Sequence, residues 1–156
     1  MPASLTQATL EGRTMAKRSR TRKKLTRQQI RDLDIEISFL EGLVNRAPSY
    51  LEALKLLSDD YLQRGLFDLG LQTDERIAEL EPGDPQAFFN LSCSYSLNGQ
   101  LAEAADALSL AIDYGYVDWK WITREQSLEP LRLSLNYELV LAKIQSILTP
   151  SGSWEV

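Results

Sequence analysis

Apolar residues between positions 26 and 149 recur every three or four residues, in runs separated by glycine, proline and asparagine. This spacing is typical of amphipathic helices that bury one face. It predicts helices over 26–46, 51–64 and 68–80, followed by a helix pair over 85–114. Because none of these helices hides its apolar stripe alone, we expect each one to pack against its neighbours in an all-α fold.

The ends of these helices carry recognisable capping residues. The pairs Thr26–Gln29 and Ser49–Glu52 both fit the capping box, in which two side chains satisfy N–H groups at a helix start. Asp84–Pro85 opens a later helix, because aspartate is a good N-cap and proline loses nothing in the first turn. Gly65 and Gly99 are expected to end helices in the left-handed backbone conformation.

A period of thirty-four residues relates two of the predicted helix pairs. Asp74 stands where the later pair has Leu108, so we expect looser packing of the earlier pair at that place. The later pair carries Phe88, Leu91, Tyr95, Gly99, Ala104, Leu108 and Ala111, and the earlier pair carries Leu54, Leu57, Tyr61, Gly65, Gly70 and Ile77. This pattern and period resemble the tetratricopeptide repeat family.

The resemblance implies a right-handed α–α superhelix of about six to eight helices. Its parts would be a leading helix, two repeats and a degenerate capping repeat that covers the last full repeat. They correspond to residues 26–46, 51–84, 85–116 and 118–149, between a disordered basic arm (1–25) and a flexible tail (150–156). In the cap we expect a final helix with Leu139, Ala142, Ile144, Ile147 and Leu148 on its apolar side.

Composition is that of a soluble globular protein, with 44% hydrophobic and 25% charged residues. No run of ~18 apolar residues predicts a membrane span, and the N-terminus lacks the apolar core of a secretory signal. Cys93 is the single cysteine, so no internal disulfide is expected. These features favour a cytoplasmic protein without membrane contact, and the resemblance is to small bacterial members of the family.

Few residues have the chemistry that catalysis needs. Histidine is absent, and no glycine-rich phosphate loop, cysteine pair or nucleophile motif occurs. The neighbouring carboxylates Asp59–Asp60 and Asp74–Glu75 are interpreted as solvated surface groups, and Cys93 as a packed or groove-lining residue. We therefore expect no enzymatic activity, cofactor or metal. The favoured function is a protein-binding adaptor, scaffold or chaperone-like assembly factor.

The concave surface of a helical solenoid is where such proteins bind partners. Here the resemblance implies a groove for a partner peptide, lined by the first helix of each pair. Phe89 is its central anchor, although the same ring fits a core position against the preceding helix pair equally well. The predicted groove residues are Lys55, Asp59, Leu62, Gln86, Phe89, Asn90, Cys93, Leu97, Lys120 and Arg124.

Some members of the family hold the C-terminal carboxylate of heat-shock chaperones in a five-residue clamp. Lys55, Asn90, Lys120 and Arg124 match clamp positions, whereas Asp59 stands where the family has asparagine. A carboxylate at that place repels the carboxylate of the ligand unless Lys55 neutralises it. Scattered surface charges are the alternative interpretation.

Charge is distributed unevenly along the chain. Residues 13–31 hold nine of the seventeen basic residues and no acidic one, whereas the chain from Asp32 onward holds eight basic and twenty-one acidic residues. A basic tether of this kind binds nucleic acid or the ribosome by releasing counterions, which is the alternative function. Self-association of solenoid ends into a homo-oligomer is a third. The basic-arm residues are Lys17, Arg18, Arg20, Arg22, Lys23, Lys24 and Arg27.

Overall fold

The computed structural model describes residues 24–149, and all of the regular secondary structure in this range is helical. The predicted all-α fold is confirmed for this part of the chain, whereas its superhelical arrangement stays a prediction. Apart from Lys24 and Leu25, the predicted arm over 1–25 lies outside the described residues, as does the tail over 150–156. The α-helices are α1 (Arg27–Arg46), α2 (Leu51–Arg64), α3 (Phe67–Leu80), α4 (Pro85–Leu97), α5 (Leu101–Asp113), α6 (Trp119–Arg124), α7 (Glu129–Arg132) and α8 (Tyr137–Leu148), with a short 3-10 helix (Gln126–Leu128) between α6 and α7.

The chain forms two compact units, and the N-terminal unit, which ends at Pro82, contains α1 to α3. Within it, α2 packs against both α1 and α3. Apolar side chains of α1 and α2 form its core, because each helix buries its apolar face against the other. The buried core residues are Ile37, Leu40, Ala53, Leu56, Leu57 and Tyr61.

The C-terminal unit begins at Gly83 and contains α4 to α8. α4 and α5 form its central pair, α8 packs against α5, and the 3-10 helix and α7 pack against α4. Ala104 and Ala111 on α5 are completely buried, and such small side chains let neighbouring helices approach closely. The larger buried residues of this core are Phe89, Leu108, Ile112, Tyr116, Ile122, Leu128, Leu131, Tyr137, Val140 and Ile144.

Two of the predicted helix starts are confirmed in atomic detail. The Thr26 hydroxyl oxygen accepts a hydrogen bond from the Gln29 N–H at 3.2 Å, and the Gln29 side chain accepts from the Thr26 N–H at 2.9 Å. The Asp84 carboxylate accepts from the Ala87 N–H at 2.8 Å, with Pro85 in the first turn of α4. Both caps satisfy N–H groups that a helix start otherwise leaves without a partner.

The capping box predicted at Ser49–Glu52 is wrong. The residue that precedes α2 is Tyr50, and its side chain forms no capping hydrogen bond. The Tyr50 N–H instead donates to the Ala47 carbonyl at 3.1 Å, in the turn that Pro48 introduces. The serine therefore lies one residue too early to act as the N-cap.

The thirty-four-residue period is present in the local structure. α2 and α4 begin thirty-four residues apart, and so do α3 and α5. Gly65 and Gly99 both have positive φ angles, of 82° and 74°, as predicted for residues that end helices in the left-handed conformation. The N–H of the residue after each glycine donates to the carbonyl of Tyr61 or Tyr95, at 2.8 and 3.0 Å. The two helix pairs thus turn in the same way.

The interpretation of two carboxylates as solvated surface groups is corrected. Asp60 and Asp74 are each 1% exposed, so both lie inside the N-terminal unit. The Ser58 hydroxyl donates to the Asp74 carboxylate at 2.5 Å, across the seam between α2 and α3. A hydrogen-bonded polar pair thus fills the place of an apolar residue, and looser packing of the earlier helix pair there stays a prediction.

Candidate protein-interaction surfaces

Three of the predicted groove residues are buried and cannot meet a partner at the surface. Leu62 lies against Gly70, with two of its side-chain carbons 3.6 Å from the place where a glycine Cβ would stand. Cys93 and Phe89 belong to the core of the C-terminal unit. We therefore correct the assignment of these three side chains from groove lining to core.

Phe89 is buried because it stacks on an aromatic ring that follows it in the chain. Its ring and that of Tyr116 are parallel within 2°, and their centroids are 4.4 Å apart. Phe88, which the pattern assigned to the seam, is only half-buried and meets Tyr114 edge-on at 5.1 Å. The choice between two adjacent phenylalanines depended on Tyr116, which the repeat pattern does not include.

The other groove residues lie nearer to solvent, and several bind one another or their neighbours. The Lys55 ammonium is 3.1 Å from Glu81, so this residue already pairs with a carboxylate of its own unit. The Gln86 side chain donates to Asn90 at 3.0 Å. Gln86, Lys120 and Arg124 are exposed, whereas Lys55, Asp59, Asn90 and Leu97 are half-buried.

Lys120 and Arg124 lie one turn apart on α6, and both point into solvent. The Asp118 carboxylate caps α6 by accepting from the Trp121 N–H at 3.1 Å. This pair can meet an anionic group on a partner. It lies in the C-terminal unit, whereas Lys55 and Asp59 lie in the N-terminal one.

A buried carboxylate follows α6 and fixes the segment behind it. Glu125 is buried, and its Oε1 accepts from the Ser127 N–H at 3.2 Å. The Arg132 guanidinium donates to the backbone carbonyls of Ile122 and Glu125, at 2.8 and 2.7 Å. Burial, and then the negative charges around it, raises the pKa of Tyr116 next to this segment. These contacts hold the short helices of the cap in place.

Three strongly exposed leucines lie in the turn between α7 and α8 and in the first turn of α8. We call Leu133, Leu135 and Leu139 the leucine segment. Their exposed fractions are 82%, 82% and 69%. Single exposed leucines are common on protein surfaces, but three within seven residues form a patch of the kind that marks binding sites.

The backbone of the leucine segment is ordered by its own hydrogen bonds. The Leu133 N–H donates to the backbone carbonyl of Glu129 at 3.1 Å, and the Glu138 N–H donates to the backbone carbonyl of Leu135 at 3.1 Å. Between them, the Ser134 N–H and hydroxyl both donate to the Leu131 carbonyl, at 3.0 and 2.7 Å. Leu133 and Leu135 are therefore presented by a closed turn of the chain, and Leu139 lies in the first turn of α8.

The exposed charged residues near the leucine segment are acidic. Glu129 and Glu138 are exposed next to it along the chain. The two nearest basic groups are already engaged, because Arg132 binds backbone carbonyls and the Lys143 ammonium lies 2.7 Å from Asp113. The exposed leucines thus have exposed carboxylates near them along the chain.

Sequence reasoning missed this surface because it placed the apolar side of α8 wrongly. The buried residues of α8 are Tyr137, Val140 and Ile144, at i, i+3 and i+7, and of the expected stripe only Ile144 is buried. Leucine, valine and alanine surround the helix almost completely, so its periodicity allows several buried faces. The run of alternate leucines from Leu131 to Leu135 was the available signal, because alternation does not fit a helical stripe.

The described part of the basic arm is short. Lys24 and Arg27 are both exposed, and Arg27 is the first residue of α1. Lys17, Arg18, Arg20, Arg22 and Lys23 lie outside the described residues.

Comparison of the chain with protein-family models, with curated proteins and with solved structures finds no significant match. The likeness to tetratricopeptide repeats therefore rests on the motif residues and the thirty-four-residue period alone.

Between residues 24 and 149, no helix combines the length and the apolar character that crossing a bilayer requires. In the same range, no group of three or more histidine, cysteine, aspartate or glutamate side chains is arranged to hold a metal ion.

Proposed function

We propose that this chain is a non-enzymatic protein-interaction module of the adaptor or chaperone-like type, and that the leucine segment is its main contact surface. The observation that supports this proposal is the exposure of Leu133 and Leu135 on an internally hydrogen-bonded turn and of Leu139 at the start of α8. An ordered apolar surface loses little conformational entropy when a partner covers it, which favours binding. This surface takes over the role that the sequence assigned to Phe89.

The surroundings of the leucine segment define the chemistry of the partner. Apolar side chains of the partner would cover the leucines, because removal of their surface from water is favourable. Basic side chains on either side of those anchors would meet Glu129 and Glu138. The expected partner is thus a protein segment with apolar anchors and basic flanks, in the cytoplasm.

Photo-crosslinking from two positions tests the proposal. A photoreactive residue replaces Leu135 in one full-length variant and Asp106, an exposed residue of α5, in the control. Both are expressed in the source cell and irradiated. We expect a discrete crosslinked protein from position 135 and none from position 106. Equal products from both positions, or none from position 135, would contradict the proposal.

A pair of substitutions tests how much affinity the leucine segment contributes. Truncation of a residue at the centre of an interface commonly costs about 2 kcal/mol, or a factor of about 30 in affinity. We expect Leu135→Ser to reduce capture of the crosslinked partner by that order, with no fall in melting temperature because the leucine is exposed. Asp106→Ser is the matched control, for which we expect unchanged capture.

Nucleic-acid or ribosome binding is the second candidate function. Its supporting observation is that Lys24, Arg27 and Arg31 are all exposed, with no acidic residue between them. Binding of a single-stranded RNA to the full chain should weaken steeply with added salt and disappear when residues 1–25 are deleted. Binding that survives the deletion, or that does not respond to salt, would count against this candidate.

A further inference from the structure

The first helix carries a second apolar stripe on the side that faces away from its own core. Ile35 and Phe39 of α1 are 52% and 37% exposed, and they lie one turn apart. Gly42 continues the same stripe, because residues three and four apart lie on one helix face. We call Ile35, Phe39 and Gly42 the outer stripe of α1.

Nothing among residues 24–149 explains the glycine of this stripe. Gly42 lies inside a twenty-residue helix, where glycine is an unfavourable residue. Beyond its chain neighbours and the adjacent backbone of its own helix, a Cβ placed on it would meet no described atom within 4 Å. No close packing among the described residues therefore requires a glycine here, whereas a second helix that crosses α1 at this point would.

Charges at the two ends of the stripe are arranged symmetrically about Phe39. Asp32 lies seven residues before it and Arg46 seven residues after it, and both are exposed on the same face. Seven residues are close to two helical turns, so the charges lie about 10 Å from Phe39 along the axis on either side. The Arg46 Nε donates only to the carbonyl of Gly42 within its own helix, at 3.2 Å.

We propose that the outer stripe of α1 binds the same stripe of a second copy of this chain, with the two helices antiparallel about Phe39. A twofold axis at Phe39 places Asp32 of each copy opposite Arg46 of the other, which forms two equivalent ion pairs. The two Phe39 rings meet at the centre, where the bare backbone of Gly42 gives them room. The contact is isologous and closes as a dimer.

The distribution of charge favours a second copy at α1 over the rest of the described residues taken together. Residues 24–46 hold four basic and four acidic residues, whereas residues 47–149 hold seven basic and sixteen acidic ones. Two copies of so acidic a chain repel each other least where the local net charge is zero. The contact is small, one helix per copy, so the dimer belongs to the weak and transient class.

Charge reversal tests this arrangement by sedimentation of the full chain over a range of protein concentrations. We expect the unmodified chain to shift from monomer towards dimer as concentration rises. Asp32→Arg and Arg46→Asp should each weaken dimerisation at least tenfold, because each places like charges opposite one another twice. An equimolar mixture of the two variants should restore the dimer, since both cross-pairs are then complementary. Asp106→Arg on α5 is the matched control, with unchanged dimerisation.

A second variant separates docking from folding. Gly42→Leu adds a side chain where the monomer has open space, so its melting temperature should equal or exceed that of the unmodified chain. The same side chain blocks the approach of a second helix, and dimerisation should be lost. A chain that stays monomeric at every concentration overturns the proposal. So does a dimer that neither charge reversal weakens, or a mixture that fails to restore it.

The dimer contact is separate from the proposed protein-binding surface. The residues that carry it lie in the N-terminal unit, whereas the leucine segment lies in the C-terminal unit. Loss of dimerisation in Gly42→Leu with unchanged crosslinking from position 135 would support both proposals separately.

Discussion

Ser58 and Ser92 occupy equivalent places in the two repeated helix pairs, yet their hydroxyl groups bind different acceptors. Ser58 donates to the carboxylate of Asp74 at 2.5 Å, and Ser92 donates to the backbone carbonyl of Ala104 at 2.7 Å. All four residues of these pairs are buried. Where the first pair has Asp74, the second has Leu108, which is completely buried in the C-terminal core.

The difference shows that two helix pairs with the same backbone turns can have different side-chain contacts between their helices. The two glycine turns and the helix starts agree between the pairs, because local residues determine them. In the second pair, the contact between the two helices is apolar at Leu108. The Ser92 hydroxyl donates to the Ala104 carbonyl. The first seam accepts a carboxylate because a hydroxyl donor lies within hydrogen-bonding distance of it.

Leu108→Asp is expected to have the largest effect, because it gives the second pair the aspartate of the first. Loss of a buried leucine costs about 2–5 kcal/mol, and an unsatisfied buried carboxylate adds several more. Since whole domains are stable by only about 5–15 kcal/mol, we expect the C-terminal unit to unfold. Trp119 and Trp121 pack against its core, so tryptophan fluorescence and circular dichroism will report the loss.

Leu110→Asp is the control for this substitution, because Leu110 lies on the same helix and is exposed. Its effect should be small. A folded Leu108→Asp variant would mean that Ser92 can serve a carboxylate as Ser58 does, and the contrast between the seams would then disappear.

Ser58→Ala and Ser92→Ala form a matched pair with a smaller effect. A hydrogen bond to a charged group contributes about 1.5–3 kcal/mol and one between neutral groups about 0.5–1.5 kcal/mol. Ser58→Ala should therefore lower the free energy of unfolding about twice as much as Ser92→Ala. Urea unfolding followed by circular dichroism measures both values. Equal losses would show that the hydrogen bond from Ser58 to the Asp74 carboxylate stabilises the fold no more than the bond from Ser92 to a backbone carbonyl.

Tyr61 gives the smallest effect, and it depends on pH. Burial raises the pKa of its hydroxyl, and the hydrogen bond donated to Glu41 at 2.7 Å raises it further. The folded state therefore keeps the proton at a pH where the unfolded chain, with a pKa of about 10, has lost it. This contribution to stability is complete below pH about 10 and is lost as the pH rises above that value.

Tyr61→Phe tests that dependence. The variant should lose about 1 kcal/mol near neutral pH with the hydrogen bond to Glu41, less than at Ser58 because Glu41 is only half-buried. Its stability should then fall less steeply above pH about 10. Urea unfolding on both sides of that pH gives the two slopes. If the slope of the variant matches that of the unmodified chain, Tyr61 does not contribute to the alkaline sensitivity.

The sequence by itself determined the helices of this protein. Thr26 with Gln29, Asp84 with Pro85, and Gly65 and Gly99 act within a few residues of themselves, so the caps and turns they predict are found in the structure. The exception, Ser49–Glu52, failed because the turn after Pro48 moved the helix start by one residue. Local chemistry was sufficient for the caps and turns at these other positions.

Only the tertiary structure decided which apolar residues face inward. Phe88 and Phe89 are adjacent and equally apolar, and so are Leu139 and Val140, so no periodicity separates them. Phe89 became core because Tyr116 stacks on it, and Leu139 stayed exposed because α5 packs against the other side of α8. Burial is a property of pairs of elements distant in sequence, and the surfaces left for a partner are what that packing does not cover.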